Sequence, residues 1–390
     1  MSTIRIQNIG PLSDTGIVKL THFMLIIGEQ SVGKSTFLKI LCFLKWVEKK
    51  IMTEGVSTIK KFETDFFISR LMQFYKFSDE YFCEKSGINY SSEIVDIQWS
   101  NGKNPKISVK DNFELLRHNC KLSYIPAERN LLSVIPQIDD KYRSSTFDSM
   151  FNFIMEFEEA NKIFTITNPL KLPVTKKVEY FHDKSLGDFI RLDNGKKDLQ
   201  LRFSSSGIQA ALPLAVIVHY LSKVAGEDAK RSPKMTEEFN GGFELSEKLG
   251  KYNYPQFFIE EPEQHLFPSS QAALVKDIVA EFNAAYKKTS VPGYVFITTH
   301  SPYILTQLNV LLKAARAYKK DKQSTTKIIK EKYLLPIGFY SSYFVTPKGT
   351  FKNMIDSETG LIKGEYLDKV SEKTENALNE LNDVIYGNLD

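Results

Sequence analysis

Near the N-terminus stands "GEQSVGKST", in which Gly28, Glu29, Gln30, Ser31, Val32, Gly33, Lys34, Ser35 and Thr36 satisfy the spacing G-x-x-x-x-G-K-[ST]. Glycines at these positions let the backbone curl so that successive N–H groups, and the N-terminus of a following helix, point at phosphate oxygens. Lys34 would then bridge β- and γ-phosphates, and the Ser35 hydroxyl would ligate Mg²⁺. ATP with Mg²⁺ is the ligand this chemistry predicts.

Much further along, "FFIEEPEQHL" ends an apolar run on Glu260 and Glu261, with Pro262 to stop the strand. Alternation places neighbouring strand residues on opposite faces, but at the strand's C-terminal end both can turn into the crevice there. Beside a phosphate loop, Glu260 is expected to hold the metal and Glu261 to act as general base on the attacking water. Glu263 and His265 are open: His265 suits a packed, loop-orienting histidine as well as a catalytic group. "YVFITTHSP" ends a second apolar run on His300, placed to hydrogen-bond a γ-phosphate or the attacking water. Between these motifs, "LQLRFSSSGIQAALPLAVIVHYL" sets Ser204, Ser205, Ser206 and Gly207 before a long apolar run. That reads as a helix cap, and the same hydroxyls, N–H groups and helix dipole suit a negative charge.

Each of these groups needs an element to hold it. "FMLII" before the phosphate loop reads as a buried strand, and "TFLKILCFLKWV" after it as a helix with apolar residues at helical spacing. "TIRIQNIGPLSDTGIVKL" reads as two short strands around a turn, and "EIVDIQWSNGKNPKISV" and "DFIRLDNGKKDLQLRF" as Asn-Gly hairpins. Residues 63–84 and 144–162 read as helices, and the polar, Gly-dotted 226–253 as a surface insertion. The expected organisation is an α/β ATPase core at 1–62 and 195–310, an insertion of helical arm plus β-hairpin at 63–194, and a C-terminal segment at 311–390 that packs on the core. The fold class expected is a mixed sheet with an N-terminal antiparallel β subdomain.

Bulk numbers agree with a soluble protein: 42% hydrophobic, 25% charged, net charge +4. Three widely spaced cysteines (Cys42, Cys83, Cys120) give neither a disulfide framework nor a zinc site. No signal pattern or run long enough for a membrane span is read, so a cytoplasmic location without membrane contact is expected. "KAARAYKKDKQSTTKIIKEK" is basic but lacks interleaved aromatics, and reads first as a solvated face, with DNA as the alternative. Leu367, Val370, Ala377, Leu378, Leu381 and Ile385 mark an amphipathic helix near the C-terminus.

In this order the motifs resemble those of ABC-type P-loop ATPases of the SMC, RecF and OLD group, and particularly the stand-alone prokaryotic AAA family ATPases. "GEQSVGKST" is similar to their Walker A, "SSSGIQ" to the signature, "FFIEEPEQHL" to Walker B with the D-loop, and "ITTHSP" to the switch histidine. The resemblance implies a head-to-tail homodimer or higher oligomer with ATP between subunits. Ser205, Ser206 and Gly207 would touch the γ-phosphate in trans, and Glu261 and His300 would be catalytic. Glu128 and Arg129 in "YIPAERN" stand where a glutamine loop would be, with Gln98 a second candidate. Three departures stand out: Ser206 replaces a signature glycine, Glu260 replaces an aspartate, and no glutamine loop is evident. Residues 311–390 lack the acidic pattern of the TOPRIM nuclease that OLD proteins carry, which implies a separate nuclease or effector partner. The function implied is ATP hydrolysis controlling DNA processing or a partner in phage defence or DNA maintenance; the alternative is an ATP-dependent assembly scaffold with little turnover.

Overall fold

The computed structural model describes residues 2–135, 148–175, 177–192, 197–229, 250–364, 375 and 377–381. The chain opens with β1 (Thr3–Ile9), β2 (Leu12–Asp14) and β3 (Val18–Lys19), the last two antiparallel to the first. Ile4, Ile6 and Ile9 of "TIRIQNI" are buried, as a half-covered strand requires. β4 (Phe23–Gly28) is buried throughout and leads through the phosphate loop into α1 (Lys34–Glu54). Residues 63–84 do not form the single helix expected. They give α2 (Phe66–Tyr75), which stops where Lys76 turns left-handed at φ 55°, and β5 (Phe82–Ser91) starts soon after.

β5, β6 (Val95–Ser100) and β7 (Lys106–Val109) join β1 to β3 in a six-stranded antiparallel sheet. The Asn101-Gly102 turn lies between β6 and β7, with Asn101 Oδ1 accepting from Gly102 N. The N-terminal β subdomain thus takes half of its strands from the stretch assigned to the insertion. β8 (Asn119–Ile125) comes next, then α3 (Ser149–Ala160), capped by Asp148, which accepts from Phe151 N at 2.8 Å. β9 (Leu170–Lys171), β10 (Glu179–Asp183), β11 (Gly187–Leu192) and β12 (Lys197–Gln200) form a small antiparallel sheet. The second Asn-Gly turn falls at 193–196, outside the described residues.

The rest of the chain supplies α4 (Ser206–Val224), β13 (Tyr252–Glu260), α5 (Pro268–Thr289) and β14 (Tyr294–Thr299). After them come α6 (Pro302–Lys320), α7 (Lys322–Ile328), β15 (Tyr340–Val345) and β16 (Phe351–Asn353). Most of the expected insertion at 226–253 lies outside the described residues, as do Leu367, Val370 and Ile385. Leu378 and Leu381 are each 57% exposed, so this apolar pair is not covered by the core.

The main sheet runs β16-β15-β4-β14-β13-β8, parallel except for β16. β8 and β15, which lie outside the core expected from sequence, complete it; β8 is the short strand that "KLSYI" reads as before Pro126, while its place in this sheet comes from pairing with β13. Alternate residues of each central strand feed two cores. Phe23, Leu25, Ile27, Phe257, Ile259, Val295 and Ile297 face α3 to α6, while Met24, Ile26, Phe258 and Phe296 face α1 and the antiparallel sheet. Burying such a side chain contributes about 1.5–3 kcal/mol, so both faces are firmly covered. Register pairs Thr299 with Ile27 and Glu260 with Thr298, which brings the C-terminal ends of β4, β14 and β13 together.

α4 is apolar and long enough to cross a membrane by composition, yet 67% of that stretch is buried inside the protein. It is fastened to α5 by His219, whose Nε2 lies 2.9 Å from Asp277 Oδ2 and whose Nδ1 lies 3.4 Å from Glu281 Oε1. Burial pulls the imidazole pKa down, and the Lys332 charge does so weakly, but the bond and charge of Asp277 with the charge of Glu281 leave it raised above 6.5. A raised folded pKa gives stability that is full below the unfolded value and is lost as pH rises through the folded one. Thermal melts across a pH series should therefore show the melting temperature falling as pH rises above about 6.5. In His219→Gln that fall should flatten; an unchanged pH profile would show that the clamp does not titrate.

Candidate functional site

The phosphate loop leaves β4 at Gly28 and closes at Gly33, whose φ of 102° is a left-handed conformation that favours glycine. A Cβ on Gly33 would also lie 2.6 Å from Leu12 Cδ2, so the β1–β2 turn backs the loop closely. Ser31 is left-handed too, at φ 61°. Glu29, Gln30 and Ser31 are exposed, whereas Val32, Lys34 and Thr36 are buried and Ser35 is half-buried. Lys34 Nζ donates to the carbonyls of Gly28 at 2.9 Å and Glu29 at 2.6 Å. Its pKa is lowered by burial, against the opposing pull of Glu261, Glu263 and Glu260. Those carboxylates thus act electrostatically on the lysine of the loop.

Glu260 is the last residue of β13 and is 4% exposed. Its Oε2 accepts from Ala127 N at 3.3 Å, while its Oε1 is buried and makes no hydrogen bond. Thr298 Oγ1, the register neighbour on β14, is likewise buried and makes none. A carboxylate oxygen and a hydroxyl left this way are costly unless a ligand takes them up, and their hard oxygen chemistry fits Mg²⁺. Glu261 does not continue the strand: its φ is 39°, a strained value for a side-chain-bearing residue, and its N–H donates to the Thr298 carbonyl at 2.9 Å. Its carboxylate accepts from Gln264 Nε2 at 3.2 Å and is partly exposed. The two acids therefore diverge, one sealed under the sheet edge and one facing outward.

His300 follows β14. Its Nδ1 lies 3.3 Å from Glu263 Oε1 and 3.9 Å from Glu261 Oε1, and its ring is 40% exposed. Glu263 is only 5% exposed and also accepts from Thr299 Oγ1 at 2.7 Å and from His300 N at 2.8 Å. Glu263 is the site residue to which sequence reasoning gave no role. Its signal was present in "EEPE", since a tight turn after Pro262 returns the third acid to the sheet edge.

Residues 23–306 match the family described as "AAA domain, putative AbiEii toxin, Type IV TA system". The chain belongs to this AAA-domain family. Solved structures similar to this AAA-domain chain include the SMC head domain from Thermotoga maritima, at 12% identity, covering 78% of this chain and 90% of that one, with a TM-score of 0.36. Another is the Smc head domain with an extended coiled coil bound to the C-terminal domain of ScpA, derived from Pyrococcus furiosus, at 11% identity, 96% and 100% coverage, and a TM-score of 0.40. A third is the recombination mediator protein RecF, at 10% identity, 90% and 97% coverage, and a TM-score of 0.38. No curated protein matches the chain.

In this AAA-domain protein the serine cluster starts α4. Ser205 is its N-cap and Ser206 its first residue; both are exposed, and the Ser205 side chain makes no capping hydrogen bond. Gly207 packs against the loop after Pro262, since a Cβ there would lie 3.0 Å from the His265 carbonyl. His265 itself is left-handed at φ 58° and exposed, so it turns the loop without being a packed histidine. Glu128 is exposed and Arg129 fully buried. Gln98 lies on β6, paired with Asn89 and Lys106 in the antiparallel sheet, and is exposed there. The basic run covers α6 and α7, where Lys313, Arg316, Lys320 and Lys327 are all exposed.

Proposed function

We propose that this AAA-domain protein binds and hydrolyses ATP as a head-to-tail dimer, and that the cycle controls DNA processing or a partner nuclease or effector. The observation that carries the reading is the convergence of three strand ends: the Lys34 loop after β4, Glu260 and Glu261 after β13, and His300 after β14, all on one sheet edge. Lys34 would exchange the carbonyls of Gly28 and Glu29 for phosphate oxygens, while the N–H groups of residues 29–36 cradle the phosphates. Ser35 and Glu260 would hold Mg²⁺, which neutralises phosphate charge when bound. Glu261, outward-facing and less buried than Glu260, would take the proton of the attacking water. His300, held by Glu263, would report the γ-phosphate across the same edge. The exposed turn Ser205-Ser206-Gly207 offers hydroxyls and unfilled helix N–H groups to a neighbouring subunit's γ-phosphate.

A cytoplasmic setting in prokaryotic phage defence or DNA maintenance is supported by the motif resemblance and by a family description that names a toxin–antitoxin system. Phosphate release from purified chain with Mg²⁺, with and without DNA, tests the enzymatic core. Wild type should exceed Lys34→Ala by at least about tenfold, a Lys34→Ala rate equal to wild type sinking the reading; turnover far below the ordinary range of about 1 per second or more would favour the scaffold alternative.

A further inference from the structure

Among the described residues Arg129 is the largest side chain with no exposure, and the four hydrogen bonds of its guanidinium all go to backbone carbonyls. Nε reaches Ala210 O at 2.9 Å, Nη1 reaches Pro126 O at 3.2 Å and Glu260 O at 2.8 Å, and Nη2 reaches Glu261 O at 2.8 Å. One guanidinium thus ties the end of β13 to the second turn of α4. A second tie lies beside it. Pro213, inside α4, has no N–H for the Gln209 carbonyl four residues back. Ser133 Oγ donates to that carbonyl at 2.8 Å. The break in the helix is therefore filled by the same segment, 126–133, that holds the acid loop.

Two consequences follow from the chemistry. The planar fork is what reaches four carbonyls at once; a lysine ammonium is a single point and cannot. The charge is tolerated without a carboxylate bonded to it because Glu263, Glu260 and Glu261 act on it through space, although burial still pushes its pKa down to about 10. We infer that Arg129 is a positioning residue that couples the strained backbone of Glu261 to the exposed Ser205–Gly207 turn at the head of α4. Through it, the state of a chain's own acid loop sets the presentation of the turn that the proposed function offers to a second subunit. The inference rests on that reading for the roles of the two ends, and on the bonds above for their coupling.

Arg129→Lys on the full chain is the direct test, with Ser133→Ala as a milder second variant. Binding of fluorescent N-methylanthraniloyl-ATP should stay within about twofold of wild type, because no phosphate-loop residue is touched. The turnover number should fall roughly 10–100-fold, the scale that small misplacement of a reacting group produces. Hydrogen exchange should quicken together in 261–266 and 207–212, in Arg129→Lys strongly and in Ser133→Ala chiefly at the second segment. Exchange that quickens only around 127–131, with turnover per folded molecule unchanged, would overturn the coupling and leave a purely structural arginine. If wild type itself hydrolyses no faster than Lys34→Ala, the proposed function fails, and the paired exchange in the two segments still decides the coupling. Should Arg129→Lys not fold, Arg129→Gln, whose amide keeps two donors, is read by the same paired exchange in 261–266 and 207–212.

Discussion

Glu261→Gln should bind ATP as wild type does and turn it over about 10²–10⁴-fold more slowly, a barrier increase of roughly 2.7–5.5 kcal/mol. The amide keeps the shape and the bond to Gln264 Nε2 through its oxygen, so the loop after β13 is undisturbed. What is lost is the ability to accept a proton. Glu261, not Glu260, is expected to carry this step because its carboxylate is the more accessible one and lies 3.9 Å from the His300 ring, whereas Glu260 is sealed under Ala127 and the sheet. Phosphate release under saturating ATP, alongside equilibrium nucleotide binding, separates the two effects. Turnover within a few-fold of wild type would remove Glu261 from the role of base. Glu260→Gln should differ in kind: its defect should shrink as Mg²⁺ is raised, since it alters metal affinity.

The second large effect concerns the pairing of subunits. Lys34→Ala should lose nucleotide, and Ser205→Arg should keep it but block the neighbour's site, so each variant alone should be inactive. Mixed in equal amounts, half of the dimers are hybrids by random pairing, and each hybrid has one site with an intact loop facing an intact turn. Activity should return to about one quarter of wild type, as a two-fold interface with two independent sites requires. The readout is again phosphate release, with subunit exchange checked by mixing differently labelled chains. Two inactive variants that stay inactive when mixed, while exchanging freely, would mean that Ser205 does not serve a neighbouring site. A Ser205→Arg chain as active as wild type would return the serine cluster to a helix start and nothing more.

The phosphate loop, the acid pair and His300 were legible because each needs a fixed residue type at a fixed place beside a buried strand. The five apolar residues of β4, Phe23 to Ile27, and the sharp change at Gly28 announce that place without tertiary information. The role of Arg129 was not legible, since its partners are carbonyls, which every residue has, and they come from positions 126, 210, 260 and 261. Glu263 was half-legible: its acidity showed, but its burial beside Thr299 depends on the turn at Pro262. The extent of the main sheet was misjudged for a similar reason. "LSYI" and "YSSYFV" are short and carry serines, and their membership of this sheet, one at its edge and one beside β4, shows only when β13 and β4 are placed beside them. The long helix expected at 63–84 failed because aromatic residues suit strands and helices alike, and Phe82 begins a strand.

β15 is the immediate neighbour of the phosphate-loop strand: Ser342 pairs with Leu25 and Val345 with Gly28. A Cβ on Gly28 would lie 2.7 Å from the Val345 carbonyl, and Gly349 is wedged against Pro11 and Ser13 in the turn that backs Gly33. Seen as a matter of biosynthesis, the first motif to leave the ribosome is among the last to be finished. The loop at 28–36 has its sequence from the start, yet one flank and its support are supplied only once residues 340–349 have been translated. A nascent chain would therefore carry an incomplete nucleotide site until residues 340–349 emerge, and competence to bind ATP would arrive almost together with the completed sheet.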